Sequence, residues 1–532
     1  MDMMLTLLRS LNDDFSEEKV MLNREWKQFK SGTDIRGVAV EYKENKVNLT
    51  DDAVRAMAGG FVLWLSNKVG KKPIELKISV GRDSRISGEH ILGLCADVMK
   101  ESGAEVIDCG LSSTPAMFMT TVDLACDGAL QITASHHPFY RNGLKFFTRD
   151  GGLEAEDIEA ILQFAQDGKT PEKVSCGTIT KYNYMKDYSA GLREIIKKAV
   201  NAENYDKPLA GFKIVVDAGN GAGGFYASDV LEPLGADTEG SVYLEPDGMF
   251  PNHIPNPENE EAMASICSAV KKANADLGVI FDTDVDRGGA VDSSGNEINR
   301  NRLVAIAAAI ALEGNQGGLI VTDSITSSGL KDFIENELGG KHLRFKRGYK
   351  NVINEAIRQN KMGINCPLAI ETSGHAAMRE NYFLDDGAYL CTKIIIKLAQ
   401  LRKEGKTLES LLENLAEPIE SKEIRMNILT EDFRAYGEKV IESLTKYAEA
   451  QPEFIIAPDN HEGIRVSFDK NNGNGWFLLR LSVHDPIMPM NIESNSVGGV
   501  ETILKKLEGF FKEFTELDSS GISKALKRGL IN

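Results

Sequence analysis

Two short loops carry groups able to move a phosphoryl group. The first is Thr133-Ala134-Ser135-His136-His137-Pro138, directly after the apolar run Ala129-Leu130-Gln131-Ile132. A hydroxyl at the mouth of a strand, followed by two imidazoles and a proline, reads as a fixed loop presenting a nucleophile, Ser135. The second is Asp282-Thr283-Asp284-Val285-Asp286-Arg287, after the apolar run 277–281. Carboxylates at alternate positions offer a hard divalent cation several oxygen ligands from one segment. The guanidinium beside them suits a phosphate. An EF-hand needs Gly at the sixth position and Glu at the twelfth, where this chain has Arg287 and Ser293, so that reading fails. Taken alone, each loop has a plain alternative, a serine turn or a solvated acidic turn. The preceding strand and the internal arginine favour a site.

Two further segments supply partners. Asn142-Gly143-Leu144-Lys145 reads as a turn that returns a lysine ten residues after the serine. Its ammonium can neutralise a phosphoserine, and in a positive cleft it moves toward useful acid–base range. Glu371-Thr372-Ser373-Gly374-His375 follows the apolar Pro367-Leu368-Ala369-Ile370 and gathers a carboxylate, a hydroxyl and an imidazole suited to sugar hydroxyls.

The elements that position these loops share one pattern: a short apolar or β-branched run, a Gly- or Asp-bearing loop, then a helical stretch. Runs 76–80, 212–216, 277–281 and 318–321 follow it, with a helical stretch from Leu303 to Leu312. This is α/β organisation with substantially parallel, mixed sheets, whose ligands gather at the carboxyl ends of strands. Breaks fall near 180, near 300 after the hairpin-like 291–296, and near 420 at Glu417-Pro418. The last part differs: runs 464–468 and 476–481 flank the turn-forming Asn471-Asn472-Gly473-Asn474-Gly475, as in a smaller α+β domain with a hairpin. Residues 1–29 read as an added helical arm. At ~150 residues per domain, 532 residues make three or four domains.

A formal net charge of -18 argues against nucleic acid and anionic membranes as partners, since both reward basic surfaces. Seven scattered cysteines without a C-x-x-C pair support neither a zinc site nor a disulfide scaffold. They fit reduced thiols in a cytoplasmic protein. No segment has the apolar length of a membrane span, and the apolar start is too short for a signal peptide.

Taken together and in order, the motifs resemble those of the α-D-phosphohexomutase family. The serine loop resembles its T-A-S-H-N-P, with His137 where Asn is usual. The acid loop resembles its D-G-D-x-D-R, with Thr283 in the Gly place. Glu371 to His375 resembles its E-x-S-G-H, and Ser31 to Gly37 its F-G-T-D-G-x-R-G, one residue short, which brings in Arg36. Lys346-Arg347-Gly348-Tyr349 stands where the family has a specificity loop. The resemblance implies three related α/β domains and a C-terminal phosphate-binding domain around one cleft, expected at 30–183, 184–300, 301–420 and 421–532. It implies Mg²⁺ held by Asp282, Asp284 and Asp286 with the phosphorylated Ser135. Phospho-Ser135 would donate to a hexose phosphate, form a hexose 1,6-bisphosphate, and take the other phosphate back. Arg287 would stabilise the transferring group, and Lys145 and His375 would move protons. Arg36, Lys346, Gly348, Tyr349, Glu371 and Ser373 would bind substrate.

The C-terminal loop departs from the family's R-x-S-[GN]-T-E-P-x-x-R. Arg480 and Ser482 keep their places, His484 stands for Thr, and Pro489 stands for the second arginine. Losing a bidentate clamp weakens phosphate binding or changes the substrate, and a histidine, only partly charged near neutral pH, replaces it in part. That departure motivates one rival, a non-catalytic sugar-phosphate-binding or regulatory protein on the same fold. Another rival, a phosphatase using the Asp282 loop as nucleophile, leaves Ser135 and Lys145 without roles.

Overall fold

The computed structural model describes residues 21–482 and 485–528. Its contacts divide the chain into two compact units. The first runs to Asn183, except Ser112–Ala116, which group with the second unit, Tyr184 onward.

The first unit holds an eight-stranded mixed sheet. Its strands are β1 (Lys30–Ser31), β2 (Asp34–Val38), β3 (Lys77–Arg82), β4 (Glu105–Leu111), β5 (Gly128–Ile132), β6 (Arg141–Thr148), β7 (Gly151–Gly152) and β8 (Thr178–Lys181), in the order β1-β2-β6-β5-β3-β4-β8 with β7 beside β6. The four strands β5, β3, β4 and β8 are parallel, and β6 runs antiparallel to both β5 and β2. Ile35, Leu144, Ile132, Leu130 and Phe146 point to the core with the helix Asp51–Val69. That helix starts where Thr50 Oγ1 accepts the Ala53 N–H and stops at Gly70, φ 70°. Two readings change here. Residues 142–145 are not a turn but part of β6, with Lys145 across from Gln131. A Gly between Asn and Leu invites a turn, yet Gly143 is there because a Cβ would lie 2.2 Å from the Ile35 carbonyl oxygen of the neighbouring strand. The polar stretch before 180 contains the edge strand β8, unseen in the pattern because all four of its side chains are exposed. Of the N-terminal arm, residues 1–20 lie outside the described residues, and Arg24–Lys27 is a single turn of helix capped by Asn23.

The second unit holds three sheets. The first comprises β9 (Ile214–Asp217), β10 (Leu277–Phe281), β11 (Gly288–Val291) and β12 (Glu297–Ile298), in the order β12-β11-β10-β9. The next has β13 (Leu319–Asp323), β14 (Lys341–Phe345), β15 (Leu368–Ile370), β16 (Ala376–Met378) and β17 (Leu384–Asp385), in the order β14-β13-β15-β16-β17. Both combine parallel pairs with antiparallel edges. Every residue of β10 and β13 is buried, as expected for strands covered on both faces. The last sheet is wholly antiparallel: β18 (Glu420–Ile428), β19 (Ile455–Ile456), β20 (Ile464–Ser467), β21 (Gly475–Leu479), β22 (Ile487–Ser494) and β23 (Leu517–Asp518), in the order β19-β20-β21-β22-β18-β23. The 471–475 turn joins β20 to β21 as a hairpin, Ser467 across from Trp476. No helix among the described residues is long and apolar enough to cross a membrane.

Candidate active site

In the second unit the acid loop links β10 to β11. Asp282, Thr283, Asp284 and Asp286 are all but inaccessible to solvent. One carboxylate oxygen from each of Asp282, Asp284 and Asp286 lies within 4.8 Å of the others. Burial, then the charges of Asp286 and Asp284, push the Asp282 carboxyl well up, opposed by Arg287. Three carboxylates so confined repel one another, and a hard divalent cation with oxygen ligands is the group whose charge relieves that; the residues fit it. The loop is tied at both ends. Asp282 Oδ1 accepts the Arg287 N–H at 3.2 Å. Thr114 donates its hydroxyl to the Asp284 carboxylate and its N–H to the Asp284 carbonyl, the latter at 2.8 Å. Val285 is forced to φ 69°, a strained conformation for a β-branched residue.

Arg287 leaves this loop toward the sugar loop. Its Nε donates to His375 Nε2 at 2.8 Å, and its Nη1 lies 3.5 Å from Glu258. His375 Nδ1 is 2.5 Å from Asp385 Oδ2, and the ring stacks on Tyr349 at 5.0 Å between centroids. An imidazole that accepts from arginine at Nε2 carries its proton at Nδ1, toward Asp385. His375 therefore holds Arg287 in place, and Asp385 holds His375. Glu371 accepts the Gly348 N–H at 2.5 Å, and Ser373 Oγ lies 3.4 Å from its other oxygen. Burial and Asp323, opposed by His375 and Arg347, push the Glu371 carboxyl up to about 7. Arg287, Gly348, Tyr349, Glu371, Ser373 and His375 thus come together. Lys346 is exposed; its neighbour Arg347 is the engaged cation, 3.3 Å from Glu258.

In the first unit Ser135 is buried at φ 50°, its N–H bonded to Thr133 Oγ1 at 2.9 Å and its Oγ 3.2 Å from His136 Nδ1. The buried Arg85 organises the loop. Its guanidinium donates to the carbonyls of Ser135, His137 (2.7 Å), Pro138 (2.8 Å) and Arg141 (3.0 Å), and its Nε to Asp83 at 3.1 Å. Arg36, across from Gly143, pairs with Asp34 at 2.9 Å. With Arg141 and Lys145 it lies on the face of β2 and β6 turned away from the core residues Ile35 and Leu144. Burial and the charge of Arg36 disfavour the charged form of Arg141, the mark of crowded cations. Cations on this face suit a phosphate.

These features meet matches along most of the chain. Residues 28–172, 186–295 and 299–419 match the models of phosphoglucomutase/phosphomannomutase α/β/α domains I, II and III. A phosphomannomutase/phosphoglucomutase of Pseudomonas syringae pv. tomato is 31% identical over 453 residues, covering 84% of this chain and 89% of that one. This chain belongs to the phosphoglucomutase/phosphomannomutase family. It is accordingly an isomerase, an intramolecular phosphotransferase acting on hexose phosphates. A phosphoglucomutase/phosphomannomutase of Thermococcus kodakarensis is 31% identical over 498 residues, covering 93% of this chain and 98% of its own. The crystal structure of a phosphoglucomutase/phosphomannomutase family protein from Burkholderia thailandensis superposes with a TM-score of 0.75 at 25% identity, covering 94% of this chain and all of that one.

The mutase's last sheet carries the altered loop. Ser482 N–H donates to the Ile487 carbonyl at 3.0 Å, and Ser482 Oγ accepts from the Asp485 N–H at 3.3 Å. His484 lies outside the described residues. Arg480, partly buried, opens the loop, and its Nε has no hydrogen-bond partner among the described residues. Sequence reasoning missed Arg85, Arg141, Thr114 and Asp385, and it took Lys346 rather than Arg347 from the Lys346–Tyr349 segment. Arg85 had a usable signal: an arginine in the loop that follows the apolar run 76–80.

Proposed function

We propose that the enzyme interconverts hexose 1-phosphates and hexose 6-phosphates through a phosphorylated Ser135. Phospho-Ser135 transfers its phosphoryl group to the free hydroxyl of a bound hexose monophosphate. The hexose 1,6-bisphosphate turns over and returns its other phosphate to the serine oxygen. Asp282, Asp284 and Asp286 would hold Mg²⁺, whose charge offsets that of the transferring group. Arg287 stabilises that group, kept in register by His375 and Asp385. His375 is read as a positioning residue because both its nitrogens are engaged; Lys145 is left as the candidate for proton transfer. Glu371, Ser373, Gly348 and Tyr349 bind the sugar, with Arg36 and Arg480 for phosphates. We read the chain as four domains in the order given by its sheets, with the last one binding phosphate.

The observation that carries this reading is the buried carboxylate trio on the same loop as Arg287. Incubation with glucose 1,6-bisphosphate and Mg²⁺ should add one phosphate to the intact protein by mass spectrometry, and Ser135→Ala should add none. A coupled assay across glucose 1-, mannose 1- and glucosamine 1-phosphate then ranks the substrates. Phosphate release that survives Ser135→Ala, without label on the protein, would sink the proposal.

A further inference from the structure

The register of the last sheet puts an arginine beside the place where the C-terminal loop lacks one. Leu479 lies across from Met490, and Met490 across from Ile424. One residue on, Arg480 donates its N–H to the Pro489 carbonyl at 3.1 Å, and Pro489 lies across from Arg425. Arg480, Pro489 and Arg425 therefore form one row across three neighbouring strands. Leu479, Met490, Ile424 and Met426 point into the core, so by alternation the row points to the other face. Directly opposed residues keep their Cβ atoms ~5 Å apart, within the reach of an arginine side chain. Arg425, largely exposed and paired with Glu423, is therefore within side-chain reach of the space beside position 489. Proline there offers neither charge nor N–H.

Charged groups cluster around this row. Arg425 Nε lies 2.5 Å from Glu423 Oε1, and Asn491 Nδ2 lies 3.2 Å from Glu423 Oε2. Burial works to raise the Glu423 carboxyl, but Arg425, Asn491 and the charge of Arg347 hold it below the usual carboxylate range. Arg480 is disfavoured as a cation by burial and by Arg347, and favoured by Glu462 and Glu423. Glu423 is thus a carboxylate within the field of three guanidinium groups, while the buried Nε of Arg480 has no hydrogen-bond partner among the described residues.

We propose that Arg425 and Arg480 clamp the non-reacting phosphate of the substrate, Arg425 supplying from the neighbouring strand the guanidinium that Pro489 cannot. Glu423 fills that anion position until the phosphate displaces it. This inference rests on the mutase reading and names the specificity residues of its phosphate subsite. Titration calorimetry of the full-length protein with glucose 6-phosphate tests it without turnover. Arg425→Ala should weaken binding about tenfold to a hundredfold, the usual worth of charge-assisted hydrogen bonds. Adding Pro489→Arg to that variant should recover most of the loss, because the new arginine stands in the same row; a merely structural role for Arg425 would show no such rescue. Glu423→Gln should tighten binding. Lys422→Ala removes a cation from the alternate side of β18 and controls for general charge. Binding by Arg425→Ala within about twofold of the unaltered protein, or an equal loss in Lys422→Ala, would overturn the inference while leaving the mutase reading intact. No binding of any hexose phosphate by the unaltered protein would overturn both.

Discussion

Ser135 and Val285 both sit in left-handed backbone, at φ 50° and 69°, in loops held by opposite kinds of group. Each such residue costs on the order of 1–2 kcal/mol. The serine loop is held by a cation: one buried guanidinium, Arg85, gathers four of its carbonyls. The acid loop is held largely by main chain. Ala222 donates its N–H to the Thr283 carbonyl at 2.8 Å, and Gly387 to the Val285 carbonyl at 3.1 Å. Gly387 opens a helix, Gly387–Lys403, whose first turn is capped by Asp386. The difference follows from the chemistry assigned to each loop. A loop that presents a serine to phosphate tolerates a buried arginine beneath it. A loop whose three carboxylates would serve an external cation is braced instead by uncharged groups, main chain and the Thr114 hydroxyl.

Four measurements test that contrast. Arg85→Ala strands Asp83 as a buried charge and frees four carbonyls, so it should cost about 3–5 kcal/mol by chemical denaturation, the range for breaking a buried ion pair. If it costs no more than the glycine substitution below, the cation is not what holds the serine loop.

Asp386 tests the other side through pH. Burial, opposed by hydrogen bonds from Tyr188, Tyr389 and Asn381, raises its carboxyl to about 6. A folded carboxyl titrating near 6 rather than near 4 binds its proton more tightly than the unfolded chain does. Its contribution to stability is full below about pH 4 and is lost as pH rises through 6. Asp386→Asn should therefore gain on the unaltered protein across that window, by about 2–3 kcal/mol at most. A flat difference between pH 4 and 7 would remove Asp386 from the account.

Gly387→Ala would put a Cβ 2.4 Å from the Arg287 carbonyl carbon, with main chain on both sides of the clash. We expect a loss of about 1–3 kcal/mol and weaker Mg²⁺-induced stabilisation in thermal melts. Unchanged Mg²⁺ response would show that the helix start does not brace the acid loop. The smallest effect belongs to the serine itself. Ser135→Gly should abolish phosphorylation yet stabilise the protein by about 0.5–1 kcal/mol through relief of the left-handed backbone. Ser135→Ala should abolish phosphorylation without that gain. Equal stability of the two variants would mean that the serine loop stores no strain.

The candidate loops themselves were legible in the chain because each depends on residues a few positions apart. The carboxylates at 282, 284 and 286, the Ser135 loop and the Glu371–His375 grip all lie at strand ends marked by apolar runs, as do the Asn471–Gly475 hairpin and the alternation that made the sheets readable. What tertiary structure alone decided is which distant group meets each loop: Arg85 beneath residues 135–141, Thr114 on Asp284, Asp385 behind His375, Arg425 across from Pro489. Lys145 belongs here too, since the same four residues read as a turn until the neighbouring strands pull them straight. Apolar periodicity is written locally, whereas a buried charge or an unpaired carbonyl finds its partner only when the packed chain brings one within about 3 Å, and no spacing along the sequence encodes that distance.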